Sequence, residues 1–487
     1  ACWQGFRKAG LALEGVERVV LAGGGPAGRP EGPPAEPAEG DGRVVRAEAW
    51  LPRAGSLPTG PSTAGRTGPE DLATIVYTSG TTGPPKGVML SHHNLLWNAW
   101  AALQAVPAYR EDLFLSFLPL SHTLERTAGL YLPMTAGATV AYARSVAQLA
   151  EDLRQLRPTV LIAVPRIFER VRRRLEEGLG ERSLRRRLLD WAVATGWARF
   201  EHAQGRAPWG PRLLAAPLLD ALAGRPFRAR FGGRLRVAIC GGAPLRLPEA
   251  RLFIGLGIPL LQGYGLTEAS PVVSVNRLED NDPRTVGRPL EGVRVRLGEQ
   301  DELLVRSPGV TRGYWKRPEA TAALLDPEGW LHTGDQAALE GGRIRITGRI
   351  KEIIVLANGE KVPPADLEAA ITEDPAFDQA LVLGEGRPYL AALVVPEPGA
   401  WREACAALGL DPEDPAAARD PRAERWALER IGPRLAPFPG YARVRRAAVL
   451  LEPWTVDNGL LTPTLKPKRA RILERHAGRV AELYEGH

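Results

Sequence analysis

Cysteine is scarce in this chain: Cys2, Cys240 and Cys405 are the only three among 487 residues, an odd and widely spaced set. That spacing suits reduced thiols and argues against a disulfide framework or a thiolate zinc site. No run of about 18 uncharged apolar residues occurs, which argues against a membrane-spanning helix. Neither a secretory signal nor a lipidation motif opens the chain, so a cytoplasmic location is expected. Internal repeats are missing, which sets aside solenoids and propellers. The net charge is +7, yet no aromatic–basic interleaving accompanies it, so no nucleic-acid partner is expected. A positive field of this kind suits anionic small substrates instead. Nothing in the pattern specifies an oligomeric state.

What is present is a chain too long for one hydrophobic core, with 44% hydrophobic residues to bury, so at least two domains are expected. The most informative string is Tyr77-Thr-Ser-Gly-Thr-Thr-Gly-Pro-Pro-Lys-Gly87, which follows Asp71–Val76, a segment that reads as a short buried strand. Small residues let backbone N–H groups approach an anion, hydroxyls add donors, and Lys86 supplies a mobile positive charge. Thr78, Ser79, Gly80, Thr81, Thr82, Gly83 and Lys86 are therefore candidate phosphate-binding residues. It is not a Walker loop, because Pro85 precedes Lys86 and Gly87 follows it. An ordinary Gly/Ser/Thr turn between strands is the competing reading. The whole string resembles the signature of the AMP-forming acyl-CoA synthetases and their adenylating relatives. The chain starts at Ala1 and reaches this loop after 76 residues; long-chain members carry a longer segment ahead of it, so the chain resembles a member lacking its first portion.

Along the chain, a helix-then-strand pattern over 11–22 precedes a Gly/Pro/Ala/Glu stretch at 23–42 that is expected to be a mobile loop. From Asp71 onward, strand-like runs at 113–118, 138–142, 159–164 and 235–240 alternate with helical patterns at 94–105, 146–156 and 167–177. The alternation predicts an α/β architecture with largely parallel sheets. Within 183–206, Leu189, Val193, Trp197 and Phe200 form one apolar stripe of a helix flanked by Arg185, Arg186 and Arg187. The arginines read as a solvated basic face; peripheral docking on an anionic membrane is the alternative. Short strands at 293–297, 302–306 and 343–347 follow, then an α+β pattern with a helix at 364–371, strands at 380–383 and 390–395, and a last helix after Pro467.

Seven further strings resemble the same family in the same order, and with the loop they span nearly everything from Asp71 onward. Leu118-Pro-Leu-Ser-His122 resembles the core whose histidine lies beside the acyl carboxylate, although a lone His122 is more often a satisfied core histidine. Val164-Pro-Arg-Ile-Phe-Glu-Arg170 looks like a landmark of the long-chain branch; its apolar residues are also simply a helix core, and no catalytic role is assigned there. Gly241, Gly242 and Ala243 resemble the segment lining the adenine, where nothing bulky protrudes. Gln262-Gly263-Tyr264-Gly265-Leu266-Thr267-Glu268 matches a specific signature in which Tyr264 stacks on adenine, Thr267 bonds a phosphate and Glu268 holds Mg²⁺. In Trp330-Leu-His-Thr-Gly-Asp335 the aspartate would accept from both ribose hydroxyls. Gly348-Arg-Ile-Lys-Glu-Ile-Ile354 resembles the hinge core, with Arg349 toward ribose or phosphate and Lys351 as the pivot. The segment 357–364 would then swing in to form a thiol channel. Leu461-Thr-Pro-Thr-Leu-Lys466 resembles the last core and places the catalytic lysine at Lys466; Lys468 and Arg469 read equally as a basic helix start.

The resemblance implies a large N-terminal α/β domain of layered sheets and helices over 1–349, shortened at its start, and a small mobile C-terminal α+β domain over 350–487. It implies ATP-dependent conversion of a long-chain fatty acid to acyl-AMP, then transfer to coenzyme A, with Mg²⁺ as the metal. Alternatives are a fatty acyl-AMP ligase, a ligase for a shorter or aromatic acid, and a non-catalytic nucleotide- or acyl-binding homologue. Two positions depart from the pattern. Arg126 stands where some long-chain enzymes gate the acyl tunnel with tryptophan, and Val355 stands where some relatives use a second lysine.

Overall fold

The computed structural model describes residues 19–21, 44–46, 67–78, 85–178, 183–462 and 467–485. The chain divides after Thr67 into two units. In the first, Val19–Leu21 pairs in parallel with Val44–Arg46, so the strand expected within 11–22 is present. The loop expected at 23–42 lies outside the described residues. Everything below concerns the second unit.

That unit begins with a hairpin, β1 (Leu72–Thr78) against β2 (Lys86–Ser91), antiparallel and two-stranded. The buried strand expected at 71–76 is largely half-exposed, with only Val76 buried, because a two-stranded ribbon has only one face to cover. Ser91 then caps α1 (His92–Ala105): its hydroxyl accepts from Asn94 N and Asn94 Oδ1 accepts from Ser91 N, a reciprocal box that satisfies two otherwise orphaned amides.

The central sheet takes β3 (Leu113–Ser116), β4 (Thr139–Tyr142), β5 (Val160–Ala163), β6 (Val237–Cys240), β7 (Leu260–Gly265), β8 (Val272–Val275) and β9 (Arg288–Pro289) in the order β9-β8-β7-β6-β5-β3-β4. The five strands from β7 to β4 are parallel; β8 and β9 are antiparallel. Largely parallel therefore holds for this sheet only as far as β7, since the six residues between β7 and β8 are too few for a crossover. Strand alternation sends Leu115, Leu161, Ala163, Ala238, Cys240 and Leu260 to one face and Phe114, Val160, Ile162, Val237 and Leu261 to the other. On the first face lie α2 (Leu149–Leu156), α3 (Pro165–Glu177), α4 (Leu184–Ala203) and α5 (Leu247–Gly255), around edge-to-face contacts of Phe253 with Phe168 and Phe227. The stripe Leu189, Val193, Trp197 and Phe200 of α4 packs there, as its spacing predicted. On the second face lies α1, through Ala101, Ala102 and Ala105. Cys240 and Cys405 are buried free thiols.

A second sheet is wholly antiparallel: β10 (Arg294–Leu297), β11 (Glu302–Arg306), β12 (Leu331–Glu340) and β13 (Arg343–Arg349). After a 3₁₀ turn at Ile350–Glu352 come α6 (Pro364–Ile371) and a three-stranded sheet of β14 (Phe377–Leu383), β15 (Leu390–Pro396) and β16 (Val444–Val449). Every residue of β15 is buried. Leu390, Ala392 and Val394 join a cluster with α6, α7 (Pro398–Leu408) and α8 (Pro421–Leu435), while Ala391, Leu393 and Val395 join Trp454, Ile472 and Tyr484. Covering both faces buries each large aliphatic side chain, worth about 1.5–3 kcal/mol apiece. The last helix expected after Pro467 is two short ones, Arg469–Arg475 and Ala477–Glu482.

Candidate active site

The parallel strands β3, β5, β6 and β7 end on one edge of the central sheet, the edge where open α/β sheets take ligands. Gly241 follows β6 and donates its N–H to Ala163 O at 3.1 Å. Gly242 has φ +79°, a left-handed conformation that favours glycine. Both lie beside Leu124, and a Cβ on Gly241 would also come within 3.9 Å of Gly263 O. Ala243 is partly exposed at the same edge. On β7, Gln262 is buried and its carbonyl accepts from Asn276 N at 2.9 Å. A Cβ on Gly265 would stand 2.1 Å from Pro271 O, so the close approach of β7 to β8 excludes any side chain there.

From this edge Tyr264 reaches the second sheet. Its hydroxyl donates to Asp335 Oδ2 at 2.6 Å, while Arg349 Nε donates to Asp335 Oδ1 at 2.7 Å. Asp335 sits on β12 opposite Arg349 on β13, which sets the second contact by register. Asp335 is buried. Burial, with the neighbouring Asp335 charge, pushes the Tyr264 phenol well above the ordinary tyrosine range, so it stays a donor.

Three residues beyond Tyr264, Thr267 and Glu268 open a 3₁₀ turn. Glu268 Oε1 accepts from the Tyr314 hydroxyl at 2.8 Å, and the Tyr314 ring carries Lys86 Nζ at 4.8 Å from its centroid. Burial and the Glu268 charge also raise the Tyr314 phenol above its usual range. Lys86, Tyr314 and Glu268 thus form one chain of charge and dipole. Thr78 pairs with Lys86 across the hairpin, and its hydroxyl donates to Lys86 O at 3.4 Å. Thr267 Oγ1 lies 3.2 Å from Thr123 Oγ1. His122 caps the short helix Thr123–Arg126, its Nδ1 accepting from Leu124 N at 3.2 Å.

The same short helix buries Glu125. Its Oε1 accepts from Ser116 Oγ at 2.5 Å and Oε2 has no partner among the described residues. Burial pushes this carboxyl up to about 7. Arg126 donates Nε to Leu120 O and Nη1 to Thr74 Oγ1, both at 2.9 Å. Arg126 thus ties the His122 turn to β1.

Of the residues predicted from sequence, Ser79, Gly80, Thr81, Thr82, Gly83 and Lys466 lie outside the described residues. The ends of the segment holding Lys466 are joined, with Leu461 bridged to Pro467 and Lys468 N donating to Leu460 O at 2.8 Å. The backbone of Lys351 lies in the 3₁₀ turn that follows β13. Arg469 donates to Glu368 Oε1 at 2.7 Å and to Val382 O, so it is committed to packing. Beyond the turn, Arg173 pairs with Asp378 and Arg246 Nη1 reaches Ala369 O at 3.4 Å, which seats α6 and β14 beside α3 and α5. Tyr314 and Thr123 were missed by the sequence reading. Thr123 directly follows the string that ends at His122; Tyr314 is marked locally by Gly313 before it and Trp315 after it.

For Mg²⁺ the donor set is one carboxylate, Glu268, beside the Thr267 hydroxyl, and no group of three or more His, Cys, Asp or Glu side chains gathers among the described residues. That is a poor all-protein cage and a good seat for a small cation that brings phosphate oxygens with it. The residues fit.

Residues 20–315 match the model of the AMP-binding enzyme family, and residues 351–487 match that of the AMP-binding enzyme C-terminal domain. A long-chain-fatty-acid–CoA ligase of Mycobacterium bovis, FadD15, is 35% identical over 428 residues, covering 85% of this chain and 69% of that one. The peroxisomal long chain acyl-CoA synthetase 7 of Arabidopsis thaliana is 32% identical over 438 residues, covering 85% of this chain and 61% of its own length. Among solved structures, the adenylation domain of a carboxylate reductase from Mycobacterium chelonae superposes with a TM-score of 0.66 at 28% identity, over 91% of this chain and 64% of that one. With the glycine-lined strand ends, the Tyr264–Asp335–Arg349 contact and the Lys86–Tyr314–Glu268 chain around β7, these matches lead to one conclusion: the chain belongs to the AMP-binding enzyme family.

Proposed function

We propose that this chain activates a fatty acid with ATP, forming acyl-AMP and pyrophosphate, and then transfers the acyl group to the thiol of coenzyme A with release of AMP. The observation that carries the reading is that β7 and the turn after it reach two other sheets through tyrosines, Tyr264 to Asp335 and Glu268 to Tyr314 beneath Lys86. In it, Thr78 and the loop through Ser79, Gly80, Thr81, Thr82, Gly83 and Lys86 hold the phosphates. Gly241, Gly242, Ala243 and the β7 stretch Gln262, Gly263, Tyr264 and Gly265 flank the purine, and Asp335 with Arg349 holds the ribose. Thr267 donates to a phosphate. When bound, Mg²⁺ on Glu268 supplies positive charge against the leaving pyrophosphate.

Lys466 acts where the carboxylate approaches the α-phosphate, two anions that otherwise repel, and His122 lies beside the acyl carboxylate. A donor at such a point is typically worth about 2.7–4 kcal/mol, or roughly 10² to 10³ in rate. The N-terminal domain is residues 1–349 and the C-terminal domain 350–487; rotation at Lys351 then exchanges Lys466 for the 357–364 segment, a gating use of conformational change. Supporting the fatty substrate are the names of the relatives; preference for long chains rests on the strings at 164–170 and 461–466.

The test separates the half-reactions. Lys466→Ala is expected to abolish ATP–pyrophosphate exchange while thioester formation from supplied acyl-adenylate persists, and equal losses in both would overturn the assignment. Running the exchange over short, aromatic and long-chain acids ranks the substrates. A ligase that hands the acyl-adenylate to a carrier protein is the second reading; comparing free coenzyme A with a carrier thiol as acceptor decides between them.

A further inference from the structure

Between α4 and β6 runs a helical stretch from Pro211 to Ala229, built of 3₁₀, α and π segments in sequence. Its inner side packs normally: Leu219 and Phe227 are buried in the main core, and Ala216, Leu219 and Gly224 line one small cavity with Ala192, Thr195 and Gly196 of α4, against which the stretch packs. Its outer side is the anomaly. Leu214, Leu218 and Leu222, spaced four apart, are 74%, 59% and 53% exposed, with Pro217 and Ala221 exposed between them. A helix apolar on every side is normally buried on every side. Just before it, Trp209 is 56% exposed.

The charges within this stretch are almost all of one sign. Between Pro208 and Arg230 stand four arginines, Arg212, Arg225, Arg228 and Arg230, and one acid, Asp220. Asp220 is neutralised in place: Arg228 donates to both of its oxygens at 2.6 and 2.9 Å and holds its carboxyl below the usual range. Arg212, Arg225 and Arg230 face solvent. Arg185 and Arg187 on the neighbouring α4 are exposed too, while Arg186 is tied to Asp190. The surface is thus an exposed leucine ridge with cationic ends and no free carboxylate in the stretch.

We infer that the ridge Leu214–Leu218–Leu222, with Trp209 and the flanking Arg212 and Arg225, is a docking surface for an anionic phospholipid membrane. A helix lying in the interface buries leucines at the acyl boundary, sets tryptophan at headgroup level and leaves arginines among the phosphates. Opposite charge on the lipid completes a rim that a neutral or basic protein surface would not. The inference is independent of the proposed reaction, because it rests on residues outside the candidate active site.

Sedimentation of the full chain with vesicles tests it without reference to catalysis. The protein is expected to pellet with phosphatidylcholine vesicles containing phosphatidylglycerol, and far less with phosphatidylcholine alone. Leu218→Glu with Leu222→Glu should lower the bound fraction about tenfold or more, and Leu214→Gln should lower it less while leaving the thermal melt unchanged. Arg212→Gln with Arg225→Gln should remove the preference for anionic lipid. Absence of pelleting, or pelleting unchanged by both leucine variants, would overturn the inference. So would a concentration-dependent dimer that the leucine substitutions break without any vesicle binding, which would give the face to a second copy of this chain.

Discussion

Tyr264 on β7 and Arg349 at the end of β13 hold opposite oxygens of the buried Asp335, the phenol on Oδ2 at 2.6 Å and the guanidinium on Oδ1 at 2.7 Å. The carboxylate is oriented before any ligand arrives, and each oxygen retains a lone pair for a further donor. Asp335→Asn should weaken AMP binding about tenfold or more, since a hydrogen bond to a charged group is worth about 1.5–3 kcal/mol. Tyr264→Phe keeps the ring and the carboxylate, so its effect should be smaller. Calorimetric titration with AMP checks both; an unchanged Kd in Asp335→Asn would remove the ribose from this place.

Glu268 is the second carboxylate of the edge, and its role is distinguished by the ligand that feels its loss. Glu268→Gln is expected to slow ATP–pyrophosphate exchange by roughly 10² to 10³ at saturating ATP and Mg²⁺, with AMP affinity hardly changed because AMP has no pyrophosphate. Tyr314→Phe removes only the donor to Oε1 and keeps the ring under Lys86, so its exchange rate should fall by less. Equal weakening of AMP by Glu268→Gln and Asp335→Asn would show the two roles to be wrongly divided.

The buried Glu125 makes stability depend on pH. Its carboxyl titrates near 4.5 when the chain is unfolded and at about 7 in the fold, so between those values the folded state keeps a proton that the unfolded state has released. Stability from this group is complete below 4.5 and is lost as pH rises through about 7. Glu125→Gln mimics the protonated form and should flatten the profile. Relative to the parent chain it should gain stability on going from acid to mildly alkaline solution, approaching roughly 3 kcal/mol. Denaturant unfolding on either side of neutrality measures this, and parallel profiles would show that the carboxyl does not titrate there.

Two glycines in helices should respond oppositely to alanine. At Gly196 a Cβ would sit 1.8 Å from Gly255 O, where α4 crosses α5, so Gly196→Ala must push the helices apart and should cost several kcal/mol, on the scale of about 1–3 kcal/mol for overpacking or more. Gly478 lies exposed within the last helix, Ala477–Glu482, with no atom beyond its own helix and chain neighbours inside 4 Å of the added carbon. Gly478→Ala should stabilise by roughly 0.5–1 kcal/mol. Thermal melts of the two variants give the comparison, and a stabilised Gly196→Ala would mean that the helices are not in contact at this point.

The strands and helices that carry the site were legible because their signals are local. Apolar runs marked β3, β5 and β6, and the i, i+4 stripe of α4 faced the core as its period required. Other features depend on which strands become neighbours. Tyr264 meets Asp335 across 71 positions, Arg126 meets Thr74 across 52, and Tyr314 meets Glu268 across 46. Propensity and periodicity reach only a few residues along the chain, so no local pattern pairs such residues. The leucine ridge at 214–222 shows the same limit from the other side. Its sequence is that of a buried helix, and only packing against α4 on one side, with solvent on the other, turned half of its apolar residues outward. The chemistry available at each position was written in the sequence; the partner each side chain would find depended on strand order and register, which tertiary packing alone decides.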